Sequence, residues 1–295
     1  MKLRYSEVFY SVQGEGRFVG VPSVFLRTFG CNFSCSGFGQ SKGNLIATDE
    51  MPYMVDPRAD KDHPEAYTSI EELPVTTIGC DSSASWAMKY KHLQKTQTVE
   101  EVFDGIMKLL PNNSFLGAWG QRTHLVITGG EPLLGWQRVW PELLSLCHAE
   151  GLRDVTFETN GTQIVSDDLR DFFNEYAEGQ DIHVTWSTSP KLSLSGEKFE
   201  EACNPDSLAS MNEVKNSYLY TKFVVRDASD FDEADKFLDA YNIIVDIDSV
   251  YFMPEGATLE QLTLTERNVA DECMKRGYRF SPRLHCHLFG NRWGT

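Results

Sequence analysis

His124-Leu125-Val126-Ile127-Thr128-Gly129-Gly130-Glu131-Pro132 is an apolar run of strand length that ends in two glycines and a proline. Bounded by turn residues in this way, it reads as a buried strand delivering a polar, glycine-bearing turn to its carboxyl end. Downstream the spacing predicts helices over 136–150, 166–176, 231–241 and 259–276. Strands are predicted between them over 154–159, 183–187, 218–225, 249–253 and 278–285, with a helix-like segment near 197–211. Upstream, 3–13 and 23–28 are strand-like, and Thr98-Val99-Glu100-Glu101 is a capping box opening a helix. Val99, Val102, Phe103, Ile106, Leu109 and Leu110 fall on one face of that helix. Strands alternating with helices mean an α/β chain with a parallel sheet and right-handed crossovers, either open or an incomplete β/α barrel. With no repeat and no linker, residues 1–295 read as a single domain carrying an irregular insertion at about 36–79.

The bulk properties narrow the function. Lys plus Arg number 27 against 43 Asp plus Glu, a formal charge of −16, which repels phosphate backbones and argues against nucleic-acid binding. No stretch approaches the roughly 18 consecutive apolar residues of a membrane span, and the N-terminus lacks a signal-peptide core. A cytoplasmic protein without membrane contact is expected. The seven cysteines do not read as a disulfide framework. Cys147, Cys203 and Cys273 lie in helix-like segments and read as small buried apolar residues.

In such sheets ligands gather at the carboxyl ends of the strands. Polar, glycine-bearing turns recur there: at Cys31, at Gly129-Gly130-Glu131, at Glu158-Thr159-Asn160-Gly161, at Ser189-Pro190-Lys191 and at Met253-Pro254-Glu255. Five in series read as one large site. Arg27 ends a hydrophobic strand four residues before Cys31 and needs an anion beside it, either a structural carboxylate or a substrate.

Phe29-Gly30-Cys31-Asn32-Phe33-Ser34-Cys35 pairs two cysteines closely, and Gly79-Cys80-Asp81-Ser82 offers a third after the insertion. Three thiolates at one point would hold an iron–sulfur cluster with one iron free for another ligand. Closing the long spacer costs roughly 2–3 kcal/mol, which cluster ligation can offset. Cys286 is a second candidate for the third ligand.

Cys31-x-x-x-Cys35 followed by a strand ending in Gly129-Gly130-Glu131-Pro132 resembles the radical S-adenosylmethionine superfamily. The usual third cysteine is missing, because position 38 is phenylalanine. The resemblance narrows to the 7-carboxy-7-deazaguanine synthase family. It is carried by Ser11-Val12-Gln13-Gly14-Glu15-Gly16, Phe25-Leu26-Arg27, Gly30-Cys31-Asn32, Cys80-Asp81-Ser82 with Trp86, Thr128-Gly129-Gly130-Glu131-Pro132-Leu133, Glu158-Thr159-Asn160-Gly161-Thr162 and Ser189-Pro190-Lys191. It fails only between Gly37 and Thr77.

The resemblance implies a fold, an incomplete β/α barrel of the radical S-adenosylmethionine type, and an activity. That activity is conversion of 6-carboxy-5,6,7,8-tetrahydropterin to 7-carboxy-7-deazaguanine with loss of ammonia. Cys31, Cys35 and Cys80 would bind a 4Fe-4S cluster. Gly79, Asp81, Gly129, Gly130, Glu131, Ser189, Pro190, Lys191, Met253 and Pro254 would bind S-adenosylmethionine, with Glu131 accepting from its ammonium. The substrate would meet Val12, Gln13, Gly14, Glu15, Arg27, Thr128, Glu158, Asn160, His285 and Thr295, with Arg27 clamping the carboxylate. No protein residue is assigned a catalytic role beyond the cluster and the cofactor radical. Magnesium would bind at Ser82, where the family has threonine. A homodimer and a flavodoxin- or ferredoxin-type electron donor are also implied.

Arg283, His285, His287 and Arg292 add local positive charge near the C-terminus, either at the site or as a solvated tail. His285 and His287 would share one face of the last strand. Two other function classes compete. One is an activase that generates a radical in a partner protein, with 36–79 as docking surface. The other is a non-enzymatic zinc protein using the three cysteines with His63 or His92. Met51-Pro52-Tyr53-Met54 is the one apolar patch expected in the insertion.

Overall fold

The computed structural model describes residues 1–41, 64–178 and 182–295. The Met51–Met54 patch and His63 lie outside the described residues. The chain opens with β1 (Lys2–Val12), β2 (Pro22–Thr28) and the short β3 (Lys95–Thr98), then α1 (Val99–Leu109). A regular alternation follows: β4 (His124–Gly129), α2 (Trp140–Ala149), β5 (Asp154–Thr159), α3 (Asp167–Glu178) and β6 (His183–Thr188). After α4 (Phe199–Ala202) and α5 (Pro205–Asn212) come β7 (Ser217–Val225), α6 (Ala228–Tyr241), β8 (Val250–Pro254), α7 (Leu259–Arg276), β9 (Arg279–Phe280) and α8 (Leu284–Phe289).

All nine strands form one sheet in the order β3-β1-β2-β4-β5-β6-β7-β8-β9. β1 runs antiparallel to both β2 and β3, while the run β2-β4-β5-β6-β7-β8-β9 is parallel throughout. The sheet does not close on itself; this is the α/β chain with a parallel sheet that the alternation predicts, in the partial-barrel form that the resemblance implies. No helix among the described residues is long and apolar enough to cross a membrane.

Helices pack on the sheet through aromatic residues. Phe157 of β5 stacks on Trp186 of β6 at 5.1 Å and meets the edges of Trp140 from α2 and Phe173 from α3. Further along, Phe252 of β8 stacks on Phe231 of α6 at 4.2 Å. Such pairs add about 0.5–1.5 kcal/mol each beyond the area they bury. The predicted capping box is formed: Glu101 donates its amide to Thr98 Oγ1 and accepts the Thr98 amide at 2.8 Å. Leu109, assigned to the inner face of α1, is instead exposed at the helix end.

Two other expectations need correction. The helix expected from 136 begins as a 3-10 turn over Gln137–Val139 and becomes α-helical only at Trp140, with Pro141 in its first turn. The strand expected over 278–285 stops at Phe280. Ser281 still donates to Phe252 O, but Pro282 has no N–H to continue a ladder, and the chain winds into α8. His285 and His287 therefore share no strand face; they sit two positions apart on a helix and point different ways.

The C-terminal part of the insertion has structure of its own. A 3-10 turn covers Ile70–Glu72. Ile70 and Leu73 pack with Ala84, Ala87, Tyr90 and Leu93 into a small separate core, closed by Tyr67, Trp86 and Trp293. The segment after Cys80 and Trp293 of the C-terminal tail thus both pack on this C-terminal part of the insertion.

Candidate active site

Because β2 and β4 to β8 are parallel, their carboxyl ends meet along one edge, and there lies a cavity of about 780 Å³. That is in the upper part of the range for small-molecule sites. Cys31, Cys35, Gly79, Cys80, Asp81 and Ser82 line it from the cysteine loops. Thr128, Gly129, Gly130, Glu158, Asn160, Ser189, Lys191 and Met253 line it from the strand ends. Val12, Gln13, Gly14, Glu15, Arg27, His285 and Thr295 complete it.

Glu131, Pro190 and Pro254 do not line the cavity. Glu131 is fully buried behind Gly130, and its oxygens accept from Thr159 Oγ1 at 2.8 Å, Asn160 N at 2.7 Å and Leu133 N at 3.1 Å. Burial raises its pKa, opposed by these donors. It is a brace between two strand ends, not a group free to meet a ligand's ammonium. Its amide also donates to Gly30 O at 2.7 Å, tying the cysteine loop to the Gly-Gly turn. A side chain on Gly130 would collide with that same carbonyl, so the close approach requires glycine.

The polar wall is an ordered network. Gln13 Nε2 donates to Glu158 Oε1 at 3.0 Å, and Thr128 Oγ1 to Glu158 Oε2 at 3.3 Å. Glu15 is paired with Lys222 and, at 3.2 Å, with Arg283. Burial alone would raise the Glu15 pKa, but Lys222, Arg283 and His285 hold it well below the usual carboxylate range. Arg283 also donates to Asp81 and to Gly256 O. Desolvation pushes His285 down to about 4 despite the neighbouring Glu15. At neutral pH it is an uncharged imidazole and adds no positive charge, contrary to the expectation. Arg283 is buried, so the basic cluster is not a solvated tail, although His287 does face outward to Glu266 at 3.3 Å.

Arg27 finds its anion within the protein. Its Nε donates to Glu7 at 2.8 Å and its Nη1 to Ser82 Oγ at 2.9 Å. Burial opposes the charge, and Glu7 more than restores it.

Sequence reasoning missed Glu7, Lys222 and the aromatic wall of Phe9, Phe25 and Trp293. Lys222 was findable: a lysine in the middle of the apolar strand Tyr218–Val225 raises the same question as Arg27.

No family model matches the chain. Curated relatives do. The 7-carboxy-7-deazaguanine synthase of Halobacterium salinarum is 29% identical over 294 residues, covering 98% of this chain and 91% of the relative. That of Pyrobaculum aerophilum is 29% identical over 293 residues, covering 99% and 97%. The chain belongs to the 7-carboxy-7-deazaguanine synthase family. Among solved structures, QueE from Escherichia coli covers 97% of this chain and 95% of its own at a TM-score of 0.53 and 19% identity, a likeness of fold.

Membership in this family implies a 4Fe-4S cluster and S-adenosylmethionine, and the residues present fit the cluster. Cys31, Cys35 and Cys80 open onto one cavity and feel one another's charge. Burial pushes the Cys31 thiol up to about 12 and raises Cys35 and Cys80 as well, so a bound metal would be needed to deprotonate them. Lys191 is the nearby cation that opposes this rise in all three. The buried indole N–H of Trp86 has no hydrogen-bond acceptor, and it faces Cys80, whose thiolate it would stabilise.

Among the described residues no three His, Cys, Asp or Glu side chains converge tightly enough for a single ion. A cluster, by contrast, spreads its thiolates over different irons. Nothing in this arrangement favours the zinc reading. Cys286 is buried in α8 and does not line the cavity.

Proposed function

We propose that this enzyme converts 6-carboxy-5,6,7,8-tetrahydropterin to 7-carboxy-7-deazaguanine, with loss of ammonia, in the formation of a queuosine precursor. One observation carries the reading: the three cysteines of the split motif and the Gln13, Glu15, Thr128 and Glu158 set open onto the same cavity. Residues 1–295 would act as one domain, with 36–79 as an insertion.

Cys31, Cys35 and Cys80 would hold the cluster, and Gly79, Asp81, Gly129, Gly130, Ser189, Lys191 and Met253 would border S-adenosylmethionine. When bound, the pair supplies a carbon-centred radical that removes a hydrogen atom from the substrate; the protein positions the partners and keeps water out. Gln13, Glu15, Thr128 and Glu158 offer donors and acceptors to a flat heterocycle, with Val12, Gly14 and Asn160 beside them. Neutral His285 can donate from one ring nitrogen and accept at the other. Arg27, held by Glu7, presents its remaining N–H groups to a substrate carboxylate. Phe9 and Phe25, stacked at 4.9 Å, form an apolar wall.

Ser82 supplies a hard oxygen suited to magnesium. A homodimer in the cytoplasm, reduced by a flavodoxin or ferredoxin, completes the proposal.

The test is anaerobic turnover of the reconstituted, reduced protein with the pterin and magnesium. Formation of the deazaguanine with only catalytic consumption of S-adenosylmethionine is expected. Normal cofactor binding without turnover would reject the substrate.

A further inference from the structure

The loop from Cys31 to Cys35 has no regular secondary structure to hold it, and Cys35 sits at φ 48, the left-handed region unfavourable for a residue with a side chain. Something must keep it there. Glu197 Oε1 accepts the amides of Ser34 at 3.0 Å and Cys35 at 2.7 Å, and the Ser34 hydroxyl at 3.4 Å. Successive amides converging on one anion are a backbone nest.

The carboxylate is itself held in place. Ser195, fully buried, donates its hydroxyl to Leu192 O at 2.7 Å and accepts the Glu197 amide at 3.2 Å. The same turn receives the Gly37 amide on Ser195 O at 2.7 Å, and a side chain at Gly37 would strike Leu194 O. The turn therefore grips the cysteine loop on both sides of Cys35. Glu197 does not line the cavity, so it can touch neither cofactor nor substrate.

We propose that Glu197 is a positioning residue that sets Cys35 in ligand geometry before any cluster binds and biases the bound cluster to low potential. The inference rests on reading Cys31, Cys35 and Cys80 as the ligands. Two amides committed to a carboxylate are withheld from the cluster's sulfur atoms, and the carboxylate adds a negative charge behind Cys35. Both effects disfavour taking up an electron.

The experiment has two arms. In cluster-loaded protein, Glu197→Ala should release iron to a chelator on the order of tenfold faster, the usual cost of losing an outer-shell partner. Its midpoint potential should rise. Glu197→Gln retains an acceptor oxygen and loses the charge, so iron release should be intermediate while the potential still rises. In cluster-free protein, mass-mapped alkylation at Cys35, relative to buried Cys147, should quicken in Glu197→Ala.

Iron release and alkylation unchanged in both variants would overturn the proposal, as would an unshifted potential in Glu197→Gln. Should the unmodified protein take up no cluster, the ligand reading fails, and the alkylation arm alone decides whether Glu197 holds the loop.

Discussion

Lys222 and Glu15 form an ion pair in the cavity wall, joining β7 to the loop after β1 over 207 positions of chain. Both side chains are largely out of water, with 5% and 14% of their surfaces exposed. Each charge is made tolerable chiefly by the other, with Arg283 also beside Glu15 and Glu158 near Lys222.

Lys222→Met should therefore cost about 3–5 kcal/mol of stability, because it leaves a buried carboxylate with only Arg283 as a strong partner. Glu15→Gln combined with Lys222→Met should recover part of that loss. Chemical denaturation of the two single variants and the double variant measures the coupling. Additive losses would mean that the pair does not act as a unit.

His285 gives the protein a pH dependence of definite sign. Burial holds its pKa at about 4, against an ordinary value of 6.5, so the unfolded chain binds the proton more readily than the folded one. Stability is then fully present above about pH 6.5 and is lost as pH falls toward 4, by on the order of 2–3 kcal/mol. Glu15, also held low, adds its own loss below the ordinary carboxylate range. His285→Gln should flatten the upper part of this profile and leave the lower part. An unchanged slope between pH 6.5 and 4 would show that other groups carry it.

Cys80→Ala should abolish the full 4Fe-4S signal on reconstitution, while Cys286→Ala leaves it intact. Absorption, electron paramagnetic resonance and iron content per chain read the outcome. Cys286 is sealed in α8, so the reverse result would require that helix to unwind.

Much of the fold is legible in the sequence because it rests on local rules. Asp154–Thr159 and Leu259–Arg276 fall within the predicted bounds, since each is a periodic run with a clear stop. The end of the chain misled because Tyr278 to His285 is β-like in composition, yet Pro282 ends the ladder. Cys31, Cys35 and Cys80 could be placed together only through a family resemblance, because 44 residues (36–79) separate the second from the third. Glu131 shows a different limit: its type and position suit a ligand-binding role, and only the geometry reveals three donors already occupying its oxygens. Glu7 and Glu197 were invisible because each matters through a partner far along the chain.

Glu7 yields the last prediction. One of its oxygens accepts from Arg27 Nε at 2.8 Å and the other from Gly294 N at 2.9 Å, so a single carboxylate fixes both the arginine and the C-terminal tail. Trp293 lies beside it, with the Arg27 guanidinium 5.8 Å from its ring and its indole N–H donating to Pro74 O of the insertion. In Glu7→Gln the amide NH2 must face either the guanidinium or the Gly294 N–H, donor against donor, and Arg27 loses its counter-charge. Stability should fall by about 3 kcal/mol, carboxypeptidase should trim the tail faster, and the KM for the carboxylated pterin should rise. Trp293→Ala should also speed trimming, but with a smaller change in KM because the Glu7–Arg27 pair survives. A tail as resistant in Glu7→Gln as in the unmodified protein would show that the small core around Trp293, and not Glu7, holds the C-terminus against the cavity.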